Sequence, residues 1–142
     1  MSLFPFIDPP AAEEPAAAEL PVAREWAWDV DKCEFKTRNG RIYIVEGKEA
    51  VKIWIWKIFQ TSRYRHLIYS WDYGHELEPL VGKRYSNAVI QSEAERLVKE
   101  AIWPTLEDYV TDIRNLAVSA EKDILCTDFT AVTPYGEVEI SV

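Results

Sequence analysis

From Glu137 to the last residue the chain alternates without a break, with Val138, Ile140 and Val142 on one side and Glu137, Glu139 and Ser141 on the other. Alternation with a period of two puts successive side chains on opposite faces of a strand, so a final strand with one apolar face is predicted. Two alternating runs precede it, Thr111 to Ser119 and Ile124 to Thr133. Ala120 to Asp123 makes the first link, and Thr133-Pro134-Tyr135-Gly136 sets Pro and Gly where a type I turn takes them. The result is a three-stranded antiparallel meander whose terminal strand is followed by nothing that would cover its edge. An open edge presents unpaired N–H and C=O groups to any other chain able to add a strand; Glu137 and Glu139 blunt it in part.

Two segments carry the helical period. Lys48 to Gln60, KEAVKIWIWKIFQ, has four consecutive apolar residues, and its length without Gly or Pro favours a helix over a strand. On that helix Val51, Trp54, Ile55 and Ile58 share a face, while Trp56 falls in the middle of the polar side with Ile53 beside it. Ile53 and Trp56 are therefore either an anchor for another chain or a contact for a further layer of the same domain. The second helix is predicted from Ser86 to Ile102, with Ile90, Ala94, Leu97, Val98 and Ala101 in one stripe. Ser86 or Asn87 caps its start and Pro104 marks its end.

Near the other end, Trp26, Trp28 and Val30 alternate, and Asn39-Gly40 predicts a hairpin with a two-residue loop. That register sets Thr37 opposite Ile42 and Phe35 opposite Ile44, giving one apolar face. The other face pairs Lys36 with Tyr43 and Arg38 with Arg41. Like charges directly opposed are unfavourable, so the arginines either splay into solvent or share a bound carboxylate. Residues 1–25 differ in kind: they hold five of the eight prolines and the block AAEEPAAAEL. Such a composition buries too little apolar surface to offset the entropy of ordering. They form an arm, with Leu3, Phe4, Phe6 and Ile7 near its tip, which either docks on a partner or folds back on its own domain. Residues 26–142 form that domain. The fold class is α+β: an N-terminal hairpin, two main helices and the meander.

Composition narrows the function. With 142 residues the chain suffices for one domain and its core. A net charge of −8 argues against nucleic acid, whose phosphates are held by Lys and Arg. No run approaches the roughly 20 apolar residues that span a bilayer, and the N-terminus lacks the basic and apolar regions of a secretory signal. Cys33 and Cys126 are far apart, without zinc-ligand spacing, and read as small buried residues in a reducing compartment. His66 and His75 have no Glu-x-x-His context, and no nucleotide-binding or nucleophile-elbow motif occurs, so neither a metal nor a cofactor is predicted. Glu76 and Glu78 near Asp72 could serve as the carboxylate pair of a cell-wall glycoside hydrolase, but nothing around them would raise one pKa and leave the other low. Six tryptophans favour a protein interface, since Trp buries a large ring while its N–H finds a partner.

The densest stretch is Ile58 to Leu80, IFQTSRYRHLIYSWDYGHELEPL. The run Thr61-Ser62-Arg63-Tyr64-Arg65, then Leu67-Ile68-Tyr69-Ser70-Trp71-Asp72-Tyr73-Gly74, resembles the XkdS-like proteins of defective phages and phage-tail bacteriocins. That group is similar in turn to the baseplate wedge protein, or sheath initiator, of contractile tails. The likeness extends from Trp26 to Val142 and includes the closing Thr133-Pro134-Tyr135-Gly136-Glu137.

The resemblance implies a non-enzymatic α+β protein of a virion or phage-tail-like particle, one copy per wedge in a six-fold ring. Its implied partners are the other wedge proteins, met through a helical bundle, the tail tube, and the first ring of sheath subunits, met through a sheet. Sheath subunits of this type exchange terminal strands, which suits an open edge at Val138, Ile140 and Val142. The remaining interface expected from these residues is Arg63, Arg65, Trp71, Tyr73 and Gly74. The likeness has one departure: relatives in T-even phages carry Glu-Pro-Arg after the second helix, where this chain reads Trp103-Pro104-Thr105-Leu106-Glu107-Asp108. An adaptor of unrelated origin with a Trp-rich surface is the reading that stands outside this family.

Overall fold

The computed structural model describes residues 19–121 and 123–142; the apolar tip expected of the arm lies outside them. Six short strands come first: β1 (Arg24–Trp26), β2 (Trp28–Asp29), β3 (Glu34–Phe35), β4 (Thr37–Arg38), β5 (Arg41–Ile42) and β6 (Ile44–Glu46). Helices α1 (Lys48–Phe59) and α2 (Asn87–Leu106) follow, separated by a long connection with one 3-10 turn at Glu78–Leu80. The meander is β7 (Asp112–Glu121), β8 (Ile124–Thr133) and β9 (Gly136–Ser141), paired in the order β7-β8-β9.

The hairpin takes the register its loop predicts. Asn39 and Gly40 both have positive φ, 52° and 74°, and Thr37 pairs with Ile42 and Arg38 with Arg41. Among the described residues Arg38 shares no carboxylate; its guanidinium lies 4.7 Å from the centre of the Tyr43 ring. Beyond the loop the two arms part, and Ala27 sits between them. Its N–H donates to the Tyr43 carbonyl and its carbonyl accepts from the Lys36 N–H, both at 2.9 Å. Phe35 therefore meets Trp28 in β2, not Ile44, and Ile44 pairs with Trp26. The apolar face is real but uncovered: Trp26, Phe35, Ile42 and Ile44 are all exposed.

α1 packs against β9 on one side, against β1 and β6 on another, and against α2. A helix surrounded in this way is apolar nearly all round, which is why Ile53 is buried although it lies beside the polar side of the wheel. Its other buried side chains include Val51, Ile55, Ile58 and Phe59. Trp56 is half-buried, its ring 5.7 Å from that of Trp28.

α2 begins as predicted, with the Ser86 hydroxyl accepting from the Val89 N–H, but it does not stop before Pro104. It runs one turn further, to Leu106. A proline in a helix removes the hydrogen bond to the carbonyl four residues back, here Glu100. That carbonyl accepts a hydrogen bond from Arg63 Nη2 at 2.7 Å instead, so an arginine from the central loop satisfies the group that Pro104 leaves without its helical donor. The two cysteines correct the expectation in the other direction. Cys33 lies in the turn between β2 and β3, Cys126 on the outward face of β8, and both are exposed.

Candidate functional site

The meander turns Val138 and Ile140 inward, 1% and 5% exposed, over a core that includes Phe129, Ala131 and Ile113. Their side chains are thus part of this chain's own interior, and Val142 is half-buried. What β9 leaves free is backbone. Thr127 and Val142 exchange both N–H···O=C bonds, at 2.6 and 3.0 Å. In an antiparallel ladder such pairs alternate with pairs whose N–H and C=O point away. Val138, Ile140 and Val142 therefore bond to β8, while the N–H and C=O of Glu137, Glu139 and Ser141 point to the outer edge. No other strand pairs with β9 among the described residues. The Tyr135 ring holds the β8-β9 turn against the start of α1: its hydroxyl accepts from the Ala23 N–H at 3.0 Å, and an added Cβ on Gly47 would lie 3.4 Å from the ring.

The central loop splits the residues that the sequence singled out into an inner and an outer set. Arg63 belongs inside, its side chain only 9% exposed, reaching Glu76 at 3.3 Å as well as the Glu100 carbonyl. Gly74 is buried with φ +106°, and a Cβ there would stand 2.5 Å from the Thr61 carbonyl oxygen. Only glycine fits where the two loop segments form an isolated parallel bridge, with His75 N–H bonded to Thr61 O and Arg63 N–H to His75 O. Burial pushes the His75 imidazole below its ordinary pKa, and its Nδ1 accepts from the Leu77 N–H. These residues build the loop. The outer set is Tyr64, Leu67, Ile68 and Trp71, of which Leu67 is 98% and Ile68 87% exposed, with Arg65 also on the surface. Leu67 and Ile68 lie within the Arg63 to Tyr73 segment expected at the surface, but the sequence does not single them out, because two apolar residues in a loop carry no period from which exposure could be read. Tyr73 is half-buried and, with Trp54, Trp56, Tyr69 and Tyr109, lines an open groove of about 660 Å³.

Glu76 and Glu78, the carboxylates weighed as an acid and base, are both engaged by other side chains. Glu78 accepts from Ser62 Oγ and from Arg65, and the Ser62 hydrogen bond is the main cause of its lowered pKa. Glu76 is paired with Arg63. Burial pushes the Glu25 carboxyl up, but Lys57 Nζ at 2.6 Å, the Trp26 N–H and Trp54 Nε1 together hold it below the usual range. A glycosidase acid needs a raised pKa, and the displaced carboxylates of the described residues all move down. Among the described residues no three His, Cys, Asp or Glu gather where a metal could be held, and no helix is long and apolar enough to cross a membrane.

Comparison with known proteins agrees with a role in assembly. A family model described as contractile injection system sheath initiator matches residues 24–136. The phage-like element PBSX protein XkdS of Bacillus subtilis (strain 168) is 30% identical over 105 residues, covering 72% of this chain and 73% of that protein.

Proposed function

Since the chain belongs to the contractile injection system sheath initiator family, we propose that it starts the sheath by lending the free edge of β9 to a strand of the first sheath subunits. It is a structural component of a phage contractile tail. The observation that carries the strand-pairing reading is the outward row of backbone groups at Glu137, Glu139 and Ser141, on a strand whose inner side is fixed by Val138 and Ile140. Holding such an edge rigid before the partner arrives reduces the ordering cost of the first ring. The exposed cluster of Tyr64, Leu67, Ile68 and Trp71 serves the neighbouring wedge proteins, and the aromatic groove around Trp56 and Tyr73 receives a second one. Six copies surround the tail tube, assembled in the host cytoplasm, with an N-terminal arm shorter than the residues 1–25 expected, because Ala23, Arg24 and Glu25 already pack and pair within the domain.

Glu139→Pro tests this directly. The substitution removes one outward N–H and no ladder bond, and proline is tolerated on an edge strand whose N–H faces solvent. Co-expressed with its sheath protein, the variant is expected to remain folded and to give few or no sheaths in electron micrographs. Sheaths of normal number and length would overturn the reading.

A further inference from the structure

The edge of β9 also carries information about what it accepts, an inference that rests on the strand-pairing reading above. Two adjoining open grooves, of about 840 and 600 Å³, border this strand and reach across the outward face of the sheet to Thr130 and Asn115. One part of their wall is apolar: Trp28, Val30, Ile53 and the stems of Lys48 and Lys52. Side chains of an added strand that continue the layer of Val138 and Ile140 would meet this part. The outward face of the sheet is different. Glu137 and Glu139 stand on it, with Asp128 opposite Ser141 and Asp112 on the far strand. Arg114 on that face is engaged by Asp112 at 2.9 Å and Glu137 at 3.6 Å, and among the described residues no cation is paired with Glu139. Lys36, which also borders the groove, is taken by Glu49 at 3.2 Å.

Cross-strand neighbours of opposite charge attract and those of like charge repel, so an arriving strand is sorted by the residues it sets beside Glu137 and Glu139. We propose that the segment accepted by β9 is an extended strand of another protein in which apolar residues alternate with lysine or arginine. Its apolar row would lie over Trp28, Val30 and the lysine stems, and its basic row beside Glu137 and Glu139. A strand with acidic residues in that row would be rejected, which gives the edge selectivity as well as adhesion.

The test is a titration of the full chain, labelled with nitrogen-15, against three short peptides of alternating valine with lysine, with threonine or with glutamate. Binding is read from the amide shifts of Glu137 and Ser141, which Glu139→Pro retains. The lysine peptide is expected to bind about tenfold or more tighter than the glutamate peptide. E137K/E139K should reverse that order, and Glu139→Pro should weaken all three peptides. Equal binding of the three peptides would overturn the charge rule and leave strand pairing intact. Unaltered binding of the lysine peptide to Glu139→Pro would also overturn the rule, because the attraction would then come from net charge. Failure of every peptide, the threonine one included, would overturn the strand-pairing reading and this inference with it.

Discussion

The meander has two outer strands, and the molecule treats their edges in opposite ways. Along β7, α2 lays the amide of Gln91 against the backbone: Nε2 donates to the Leu116 carbonyl at 2.5 Å, and Oε1 accepts from the Val118 N–H at 3.1 Å. The register also shifts between Arg114 and Ala117, with Asn115 at φ 53°, and such an irregularity spoils the strand as a template. β9 has regular pairing from Gly136 to Ser141, and among the described residues no side chain bonds its outer groups. The Glu100 carbonyl inside α2 follows the β7 pattern, since Arg63 completes a group that Pro104 orphaned. In both places a side chain completes backbone groups that secondary structure leaves over, and among the described residues nothing does so for the outer groups of β9.

The largest effect that would sharpen this contrast comes from removing β9. Deleting Val138 to Val142 takes away two buried side chains, and each such loss costs about 2–5 kcal/mol, so the shortened chain should lose its cooperative thermal transition. Survival of a native transition would show that β9 is only an attachment. Next is Arg63→Ala, expected to cost about 3 kcal/mol in urea unfolding because it strips both Glu76 and the Glu100 carbonyl. Adding Pro104→Ala should return about 1 kcal/mol of that, by restoring the helical donor. A purely additive pair would refute the coupling.

Gln91→Ala should cost about 1–2 kcal/mol and, by freeing Leu116 and Val118, make the chain self-associate in sedimentation experiments. A monomer of unchanged stability would erase the difference between the two edges. Acid gives a smaller effect, at one end of β9. His75 and Val142 line the same small depression, and the folded-state pKa of His75 lies below its ordinary 6.5. The unfolded chain therefore takes up the proton first. The stabilisation is complete above pH 6.5 and declines as the pH falls below it toward the folded value. The protection factors of the Thr127 and Val142 amides, which allow for the slower intrinsic exchange in acid, should fall between neutral pH and about pH 5.5, and His75→Asn, which keeps an acceptor for Leu77, should flatten that response. Smallest is the effect of Glu139→Pro on stability, expected within about 1 kcal/mol of the unmodified chain.

Local rules were enough for much of the fold. The alternation after Thr111, the Asn39-Gly40 loop and the Ser86 cap depend on neighbours within a few residues, and each element forms close to where it was expected. Pro104 was legible as a stop only locally, because the donor that lets the helix continue past it comes from Arg63. Within the candidate site, the open strand could be read from Glu137 to Val142. The division of the central motif into the buried Arg63 and Gly74 and the exposed Leu67, Ile68 and Trp71 could not.

The sequence by itself determined which residues could share a face, because the 2.0 and 3.6 periods are properties of the backbone. Only the tertiary structure decided what covers each face. It buried Ile53 between layers, left Phe35, Ile42 and Ile44 in the open, and kept the side chains of Val138 and Ile140 while releasing the backbone beside them. Burial depends on distant segments meeting, and no local period records that.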